Sequence, residues 1–174
     1  MRFRNAKAGD AAAILAIYGP VCETSPTSFE LAAPSLGEMK RRVRETTRKY
    51  PWLVCEDKAG LLGYAYASLH RSRAAYQWCV EVSVYVHGRA RRKGVGRALY
   101  LALFRRLRAQ GYCRAYAGIT LPNAASVALH ESLGFKPVGV YRKIGFKLGR
   151  WHDVGWWDLR LGPLPAAPRA PHAP

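Results

Sequence analysis

The 174-residue sequence has few acidic residues, with 11 Asp and Glu against 28 Lys and Arg, so its formal net charge is +17. A surface with so little negative charge attracts polyanions. Nucleic acid, an anionic membrane surface and a phosphorylated cofactor are therefore all candidate ligands. Many of the basic residues, such as those in segment 40–49, are expected to coat solvated helix faces. The charge alone selects no partner.

Cysteine is sparse and scattered. The four cysteines, Cys22, Cys55, Cys79 and Cys113, include no C-x-x-C pair. This pattern argues against both a disulfide framework and a zinc site. We expect reduced, mostly buried thiols and no metal cofactor.

Long apolar runs and internal repeats are also missing. No apolar run approaches the roughly 18 residues of a membrane span, and the first ten residues lack the apolar region of a signal peptide. We therefore expect a soluble, cytoplasmic protein without a membrane partner. The length fits one domain, assigned to residues 1–162. Residues 163–174 are rich in proline and alanine and are expected to form a disordered tail.

The hydrophobic pattern predicts the element order β-α-α-β-β-β-α-β-α-β-β, which indicates a single α+β domain with a mixed sheet flanked by helices. Pro20 is expected to bend or end the first helix. The alternation in residues 78–86 predicts a strand that packs through one face and carries the lone carboxylate of Glu81 on the other. A basic loop with two glycines follows, and a helix is predicted from about Val95. A carboxylate beside a helix N-terminus that can hold an anion suits an active site.

Three short motifs carry a family resemblance. Arg91-x-x-Gly94-x-Gly96 lies between a predicted strand and a predicted helix, and Asn123-Ala-Ala-Ser126 and Leu133-Gly-Phe135 lie downstream. Together they resemble the acetyl-CoA-binding pattern of the GNAT superfamily of N-acetyltransferases. Within that superfamily, the chain resembles the enzymes that acetylate phosphinothricin, methionine sulfoximine or methionine sulfone. The segments that carry this resemblance are residues 23–30, 63–68, 71–86, 129–135 and 145–157, and together with the motifs above they span nearly the whole chain except the C-terminal tail.

The resemblance implies that acetyl-CoA is the cosubstrate. Its pyrophosphate would contact backbone N–H groups of the glycine loop, because Gly94 and Gly96 let the main chain approach closely. The main chain of residues 84–86 would pair with the pantetheine arm as an added strand does. The implied cofactor-binding residues are Val84, Tyr85, Val86, Arg91, Arg92, Lys93, Gly94, Val95, Gly96, Arg97, Asn123 and Ser126.

Acetyl transfer to an amine needs a base, because an ammonium group has no lone pair with which to attack the thioester. The resemblance implies that Glu81 is this base, acting directly or through water; the alternative is a structural ion pair with a nearby arginine. Burial would raise its pKa and arginines would lower it, and the sequence leaves the balance open. His130 stands where many GNAT enzymes have a tyrosine that protonates the departing thiolate. It is expected to act as a general acid, to orient water or to line the pocket, whereas Tyr100 is interpreted as helix packing.

The implied acceptor is the α-amino group of a small amino-acid analogue. The planar donors of Arg71 and Arg73 suit a carboxylate or phosphinate. The resemblance also implies a homodimer in which Lys147 and Trp151 contribute across the contact. Two alternatives stay open: acetylation of another amine such as a protein N-terminus, and a basic nucleic-acid-binding module, for which no recognition element is visible. The expected acceptor-binding residues are Phe29, Glu30, Arg71, Arg73, Ala74, Ala75 and Tyr76.

Overall fold

The computed structural model describes residues 1–174, which form seven strands and four α-helices. Their order is the one predicted from the hydrophobic pattern. Short 3₁₀ turns occupy residues 8–10, 74–76 and 88–90. The elements are β1 (Arg2–Asn5), α1 (Ala11–Thr24), α2 (Leu36–Thr47), β2 (Trp52–Asp57), β3 (Gly60–Leu69), β4 (Cys79–Val86), α3 (Val95–Gln110), β5 (Arg114–Leu121), α4 (Ala124–Ser132), β6 (Lys136–Lys147) and β7 (Arg150–Arg160).

All seven strands form one sheet in the order β1-β2-β3-β4-β5-β7-β6. Only the central pair β4 and β5 is parallel, since α3 crosses between them, and every other neighbouring pair is antiparallel. The prediction of a mixed α+β sheet flanked by helices is confirmed. The parallel pair lies in the middle of the sheet, where it can be covered on both faces.

Apolar side chains cover both faces of the sheet. On one face, α3 packs Leu99 and Leu103 against Val80 and Val82 of β4. On the other, α1 and α2 pack against a smaller cluster that includes Trp52 and Tyr64. The face of β4 that carries Glu81 is also partly covered. On this face, the ring of Tyr85 packs against those of Tyr18 and Tyr64.

Helix α1 continues through Pro20 to Thr24. The expectation was that this proline would bend or end the helix, and the prediction that the helix ends there is wrong. Proline removes one main-chain hydrogen bond from a helix interior. Buried side chains on both sides of Pro20, Ile17 and Cys22 among them, hold the helix against the sheet. Packing thus outweighs the local preference, and α1 delivers the loop of residues 25–35 to the sheet.

The C-terminal segment 163–174 contains no helix or strand. It nevertheless contacts the domain. The Trp78 indole N–H donates to the carbonyl of Arg169 at 2.8 Å, and the main-chain N–H of His172 donates to the carbonyl of Gln110 at 3.0 Å. The domain boundary at residue 162 and the disorder of the tail stay predictions. None of the helices is long and apolar enough to cross a membrane.

Candidate active site

A cleft opens in the middle of the sheet, where β4 and β5 separate. Their backbone pairing runs only from Cys79 to Glu81 on β4, although β4 continues to Val86. Beyond Glu81, the edge of β4 that faces β5 has main-chain N–H and C=O groups without a strand partner. The gap is a cleft that is open to solvent. Its walls include the predicted residues Val84, Tyr85, Asn123, Ser126 and His130.

The glycine loop ends at the N-terminus of α3, directly beside this cleft. Gly94 is the N-cap and has a left-handed backbone conformation, with φ of 76°. A side chain at Gly96 would meet Leu129 at 3.4 Å and Val86 at 3.5 Å, so glycine there lets α3 lie close to β4 and α4. The first N–H groups of α3 have no partner within the helix and give this end a positive partial charge. The loop thus has the backbone geometry of an anion-binding cradle, and this glycine cradle is the feature that the sequence predicts to hold the pyrophosphate.

The basic residues of the loop divide into two groups. Arg91, Arg92 and Lys93 are exposed and form no salt bridge, so their charges remain available to an anion. Arg97 instead donates to the main-chain carbonyl of Ser132 at the end of α4, at 3.1 Å. It joins α3 to α4 in this structure.

Asn123 caps α4, as the sequence predicts: its Oδ1 accepts from the N–H of Ser126 at 3.2 Å. This cap fixes the first turn of α4 against the cleft, where both residues form part of the wall. The structure therefore brings the two residues of this motif and Val84 and Tyr85 to a single cleft.

Glu81 sits at the last paired position of β4, where the cleft begins. Its Oε1 lies 3.2 Å from Nδ1 of His70, and no arginine pairs with it, so the alternative of a structural arginine pair is wrong. Burial raises the pKa of the Glu81 carboxyl above its ordinary value of 4.5, while His70 and the charge of Arg71 oppose this shift. The effect of burial is larger than the combined effect of His70 and Arg71. The raised pKa of Glu81 suits a general base near neutral pH.

His130 is almost fully buried at the wall of the cleft, 3% exposed. Its Nδ1 lies 2.7 Å from the main-chain oxygen of Ser126, which only accepts, so Nδ1 carries the proton. Its Nε2 lies 3.0 Å from the hydroxyl of Tyr100 and accepts from it. Burial lowers the pKa of the His130 imidazole, which favours the neutral ring.

Tyr100 therefore does more than pack. Its ring does stack on Phe104, as helix packing requires, but its hydroxyl bonds His130 and both residues line the cleft. The sequence predicts only helix packing for Tyr100. The spacing along one helix could not show that this hydroxyl meets a histidine of α4.

The loop between β3 and β4 holds the residues predicted to bind the acceptor. Ala74, Ala75 and Tyr76 form a 3₁₀ turn, and all three are exposed. Arg71 and Arg73 are exposed as well and form no salt bridge, so both guanidinium groups are open to a ligand.

The loop between α1 and α2 holds Phe29 and Glu30, the other two residues predicted to bind the acceptor. Phe29 packs its ring over Gly145, where a side chain would collide with it. Glu30 pairs with Arg42, its Oε1 lying 2.5 Å from Nη1, and also accepts from the Tyr18 hydroxyl at 3.0 Å. Its carboxylate is thus engaged within the chain, and Glu30 shapes the loop through these bonds.

Lys147 anchors this loop from within the same chain. Its Nζ donates to the main-chain carbonyls of Cys22, Ser28 and Glu30 at 2.5, 2.6 and 2.7 Å. The residue is 4% exposed. The expectation that Lys147 contributes across a dimer contact is therefore wrong, because all of its donors are used inside the protomer.

The sequence profile described as "Acetyltransferase (GNAT) domain" matches residues 3–156. The chain belongs to the GNAT acetyltransferase family. It is 41% identical over 169 residues to phosphinothricin N-acetyltransferase of Streptomyces viridochromogenes. The aligned region covers 97% of this chain and 92% of the relative. It is 38% identical over 167 residues to L-methionine sulfoximine/L-methionine sulfone acetyltransferase of Pseudomonas aeruginosa PAO1, covering 95% and 97%.

A solved GNAT structure shows the same fold with the donor bound. It is a phosphinothricin acetyltransferase from Sinorhizobium meliloti in complex with acetyl-CoA, and it superposes with a TM-score of 0.88. The two sequences are 39% identical, and the match covers 92% of this chain and 88% of the other. This GNAT chain is an acetyl-CoA-dependent N-acetyltransferase, and its glycine cradle and its unpaired β4 edge fit that donor. No group of three or more potential metal ligands occurs in the chain.

We expect Gly94→Ala to weaken acetyl-CoA binding. The left-handed backbone at this position costs a residue with a Cβ about 1–2 kcal/mol, which corresponds to a roughly five- to thirtyfold higher Kd if the loop relaxes. Isothermal titration calorimetry with acetyl-CoA measures the change. Gly88→Ala is the control, because Gly88 lies in the same loop region, has no positive φ and has open space around it. An unchanged Kd for Gly94→Ala would contradict the role of this loop.

Proposed function

We propose that the enzyme transfers the acetyl group of acetyl-CoA to the α-amino group of a small amino-acid analogue of the phosphinothricin or methionine sulfoximine type. The observation that carries the proposal is the position of Glu81, whose carboxylate lies where the donor cleft begins and beside a loop with two unpaired guanidinium groups. The names of the two relatives support this class of acceptor. The four free cysteines further support a cytoplasmic enzyme.

The reaction proceeds by direct attack in a ternary complex. Glu81 accepts the proton of the acceptor ammonium, directly or through water, and leaves a neutral amine. The nitrogen lone pair then forms the N–C bond to the acetyl carbon, the C–S bond breaks to release the thiolate of CoA, and the second proton of the nitrogen passes through water to that thiolate as the amide forms. A backbone N–H of β4 beyond Glu81, free of β5, is available to hold the tetrahedral oxyanion. No covalent enzyme intermediate is needed, because the thioester is already activated.

His130 and Tyr100 are bonded to each other and line the wall of the proposed site. The Nδ1 proton of His130 is committed to the carbonyl of Ser126, so it is not available to the departing thiolate. The Tyr100 hydroxyl proton is committed in turn to Nε2 of the same ring, and burial raises the pKa of this hydroxyl far above its ordinary value of 10. A CoA thiolate resembles an ordinary thiol of pKa about 8.5, so it leaves near neutral pH without a protein acid and takes up the proton that the nitrogen releases.

Arg71 and Arg73 recognise the acidic group of the acceptor. Each guanidinium offers paired N–H donors that match a carboxylate or a phosphinate. Arg71 lies near enough to Glu81 for its charge to lower the pKa of that carboxyl. Carboxylate binding by this loop therefore brings the α-amino group of the acceptor towards the base. The exposed residues Ala74, Ala75 and Tyr76 and the ring of Phe29 form the sides of this subsite.

The acceptor class is tested with purified enzyme and acetyl-CoA by following thiol release. The panel comprises phosphinothricin, methionine sulfoximine, methionine sulfone, their N-methylated forms and a peptide with a free N-terminus. We expect turnover of the three amino-acid analogues and none of the N-methylated controls. Turnover of the peptide alone would replace the proposal with protein N-terminal acetylation. Salt-sensitive DNA binding without acetyl transfer would instead favour a nucleic-acid-binding protein.

Glu81→Gln is expected to lower kcat by about 10²–10⁴-fold, because the amide cannot take the proton. Acetyl-CoA affinity should stay unchanged. In the unaltered enzyme, kcat/KM should fall on the acid side at a pH above 4.5, since burial raises the pKa of this carboxyl and only the ionised form acts as a base. Steady-state kinetics across pH measure both effects, and Glu23→Gln on the surface is the matched control. A fully active Glu81→Gln enzyme would eliminate Glu81 as the base.

A homodimer through the β6–β7 hairpin is part of the proposal. Strand β6 is the outer strand of the sheet, so one backbone edge is unpaired. Exposed apolar side chains lie along the hairpin, and Ile144, Phe146 and Trp151 are 55%, 55% and 60% exposed. Edge strands and apolar patches of this kind favour association.

Light scattering after size-exclusion chromatography should give about twice the chain mass of 19.4 kDa. Ile144→Lys combined with Phe146→Lys should shift the protein to the monomer, because the two charges lie in the contact. Leu101→Lys, at an exposed position of α3, is the control and should leave the dimer intact. A monomeric unaltered protein would refute the dimer and leave the assignment of Glu81 untouched.

A further inference from the structure

We infer that His70 is a positioning residue for the catalytic base: its Nδ1–H donates to Oε1 of Glu81 and leaves Oε2 to receive the acceptor proton. The two atoms are 3.2 Å apart, and Oε2 has no hydrogen-bond partner in the chain. A carboxylate only accepts, so Nδ1 carries the proton in this bond. The inference rests on the proposed function, because it takes Glu81 as the base.

The register of the sheet explains why His70 reaches Glu81. Ser68 of β3 lies directly opposite Glu81 of β4. His70 follows two residues later, and side chains two residues apart along an extended chain point to the same face. The imidazole therefore lies diagonally across from the carboxylate. It is also shielded, since its side chain is 11% exposed.

An aromatic cluster fixes the ring of His70. The imidazole stacks almost flat on Tyr116, with centroids 4.3 Å apart and an interplanar angle of 8°. Tyr116 lies opposite Glu81 in the paired part of β5. The rings of Tyr76 and Trp156 are steeply inclined to the imidazole, at interplanar angles of 80° and 68°, and their centroids lie 6.4 and 6.0 Å from its centroid. These contacts restrict the ring to one orientation and aim Nδ1 at the carboxylate.

The ionisable groups around Glu81 leave His70 as its one bonded partner. From the β3 side, His70, Arg71 and the buried hydroxyl of Tyr66 face the carboxylate. From β5 it faces Tyr116. Other charges nearby are neutralised by each other, since Asp158 of β7 pairs with Arg114 and Glu30 pairs with Arg42.

This bond has a defined effect on proton transfer. Burial favours the neutral form of the carboxyl, whereas a donor at Oε1 favours the ionised form, which is the one that can accept a proton. His70 therefore keeps Glu81 competent at a lower pH than burial alone would allow. Loss of the donor should move the acid limb of the pH profile to higher pH, because the folded enzyme would then hold the proton on Glu81 more tightly.

Two variants separate the donor from the ring. His70→Phe keeps a ring to stack on Tyr116 but has no donor, and His70→Asn keeps a donor near the position of Nδ1 but loses the ring. For His70→Phe we expect the acid limb of kcat/KM to move up by about one pH unit, since a hydrogen bond to a charged group contributes on the order of 1.5 kcal/mol. The rate should fall about tenfold below that limb and recover towards that of the unaltered enzyme at high pH. His70→Asn should retain the original limb.

The same shift should be visible without turnover. Carbon-13 NMR of glutamate-labelled protein should show the Glu81 carboxyl titrating at higher pH in His70→Phe, with circular dichroism and the acetyl-CoA Kd unchanged. A uniform loss of rate at every pH, with the limb in place, would overturn the inference in favour of a purely structural role. If Glu81→Gln keeps full rate, the proposed base is wrong; if Glu81→Gln is inactive but His70→Phe titrates as the unaltered enzyme does, only the role of His70 is wrong.

Discussion

The separation of β4 from β5 immediately after Glu81 is the constraint on which the site depends. If β4 and β5 were hydrogen-bonded along their whole length, no main-chain groups of β4 would remain to bind acetyl-CoA. There would also be no cleft beside the glycine cradle. The separation is possible because β4 is still held on its other edge by β3 as far as Val86, and because residues of α3 and α4 line the gap. Glu81, the proposed base, lies at the last residue pair that β4 and β5 share, so the paired sheet and the open cleft meet at this carboxylate.

The scarcity of acidic residues gains a structural meaning from the pattern of ion pairs. Most of the carboxylates are bound to structural arginines, such as Arg4, Arg42 and Arg89. Few negative charges remain to neutralise the glycine loop or the loop that carries Arg71 and Arg73. The composition gives only the total positive charge. In the structure, unpaired basic residues lie in the two loops where the anionic groups of acetyl-CoA and of the acceptor would bind. A chain with balanced charge would have to keep these loops open by other means.

Local signals predicted the donor half of the site, whereas the acceptor half depended on tertiary contacts. Alternation identified β4, and the glycine pattern located the N-terminus of α3 at Val95, because both rest on backbone geometry that a short stretch determines. The bond from His70 to Glu81 could not be predicted in the same way, since it follows from the register that places Ser68 opposite Glu81. Pro20 was misjudged because packing on both sides of it stabilises the helix, and Lys147 because its three carbonyl partners are more than a hundred residues away in the chain.

The anchoring of the α1–α2 loop by Lys147 has a consequence for how such an enzyme can diversify. Lys147 at the end of β6 holds the proposed acceptor wall through three main-chain carbonyls, and these bonds do not depend on which side chains the loop carries. Substitutions at loop positions whose side chains make no structural contact can thus alter the shape presented to an acceptor while these three bonds stay in place. The donor cradle lies on other elements and is unaffected by such changes. The fold therefore separates the proposed acetyl-CoA site from the loop that would contact the acceptor. Changes in this loop can alter which amine is accepted while the acetyl-CoA site and Glu81 stay the same.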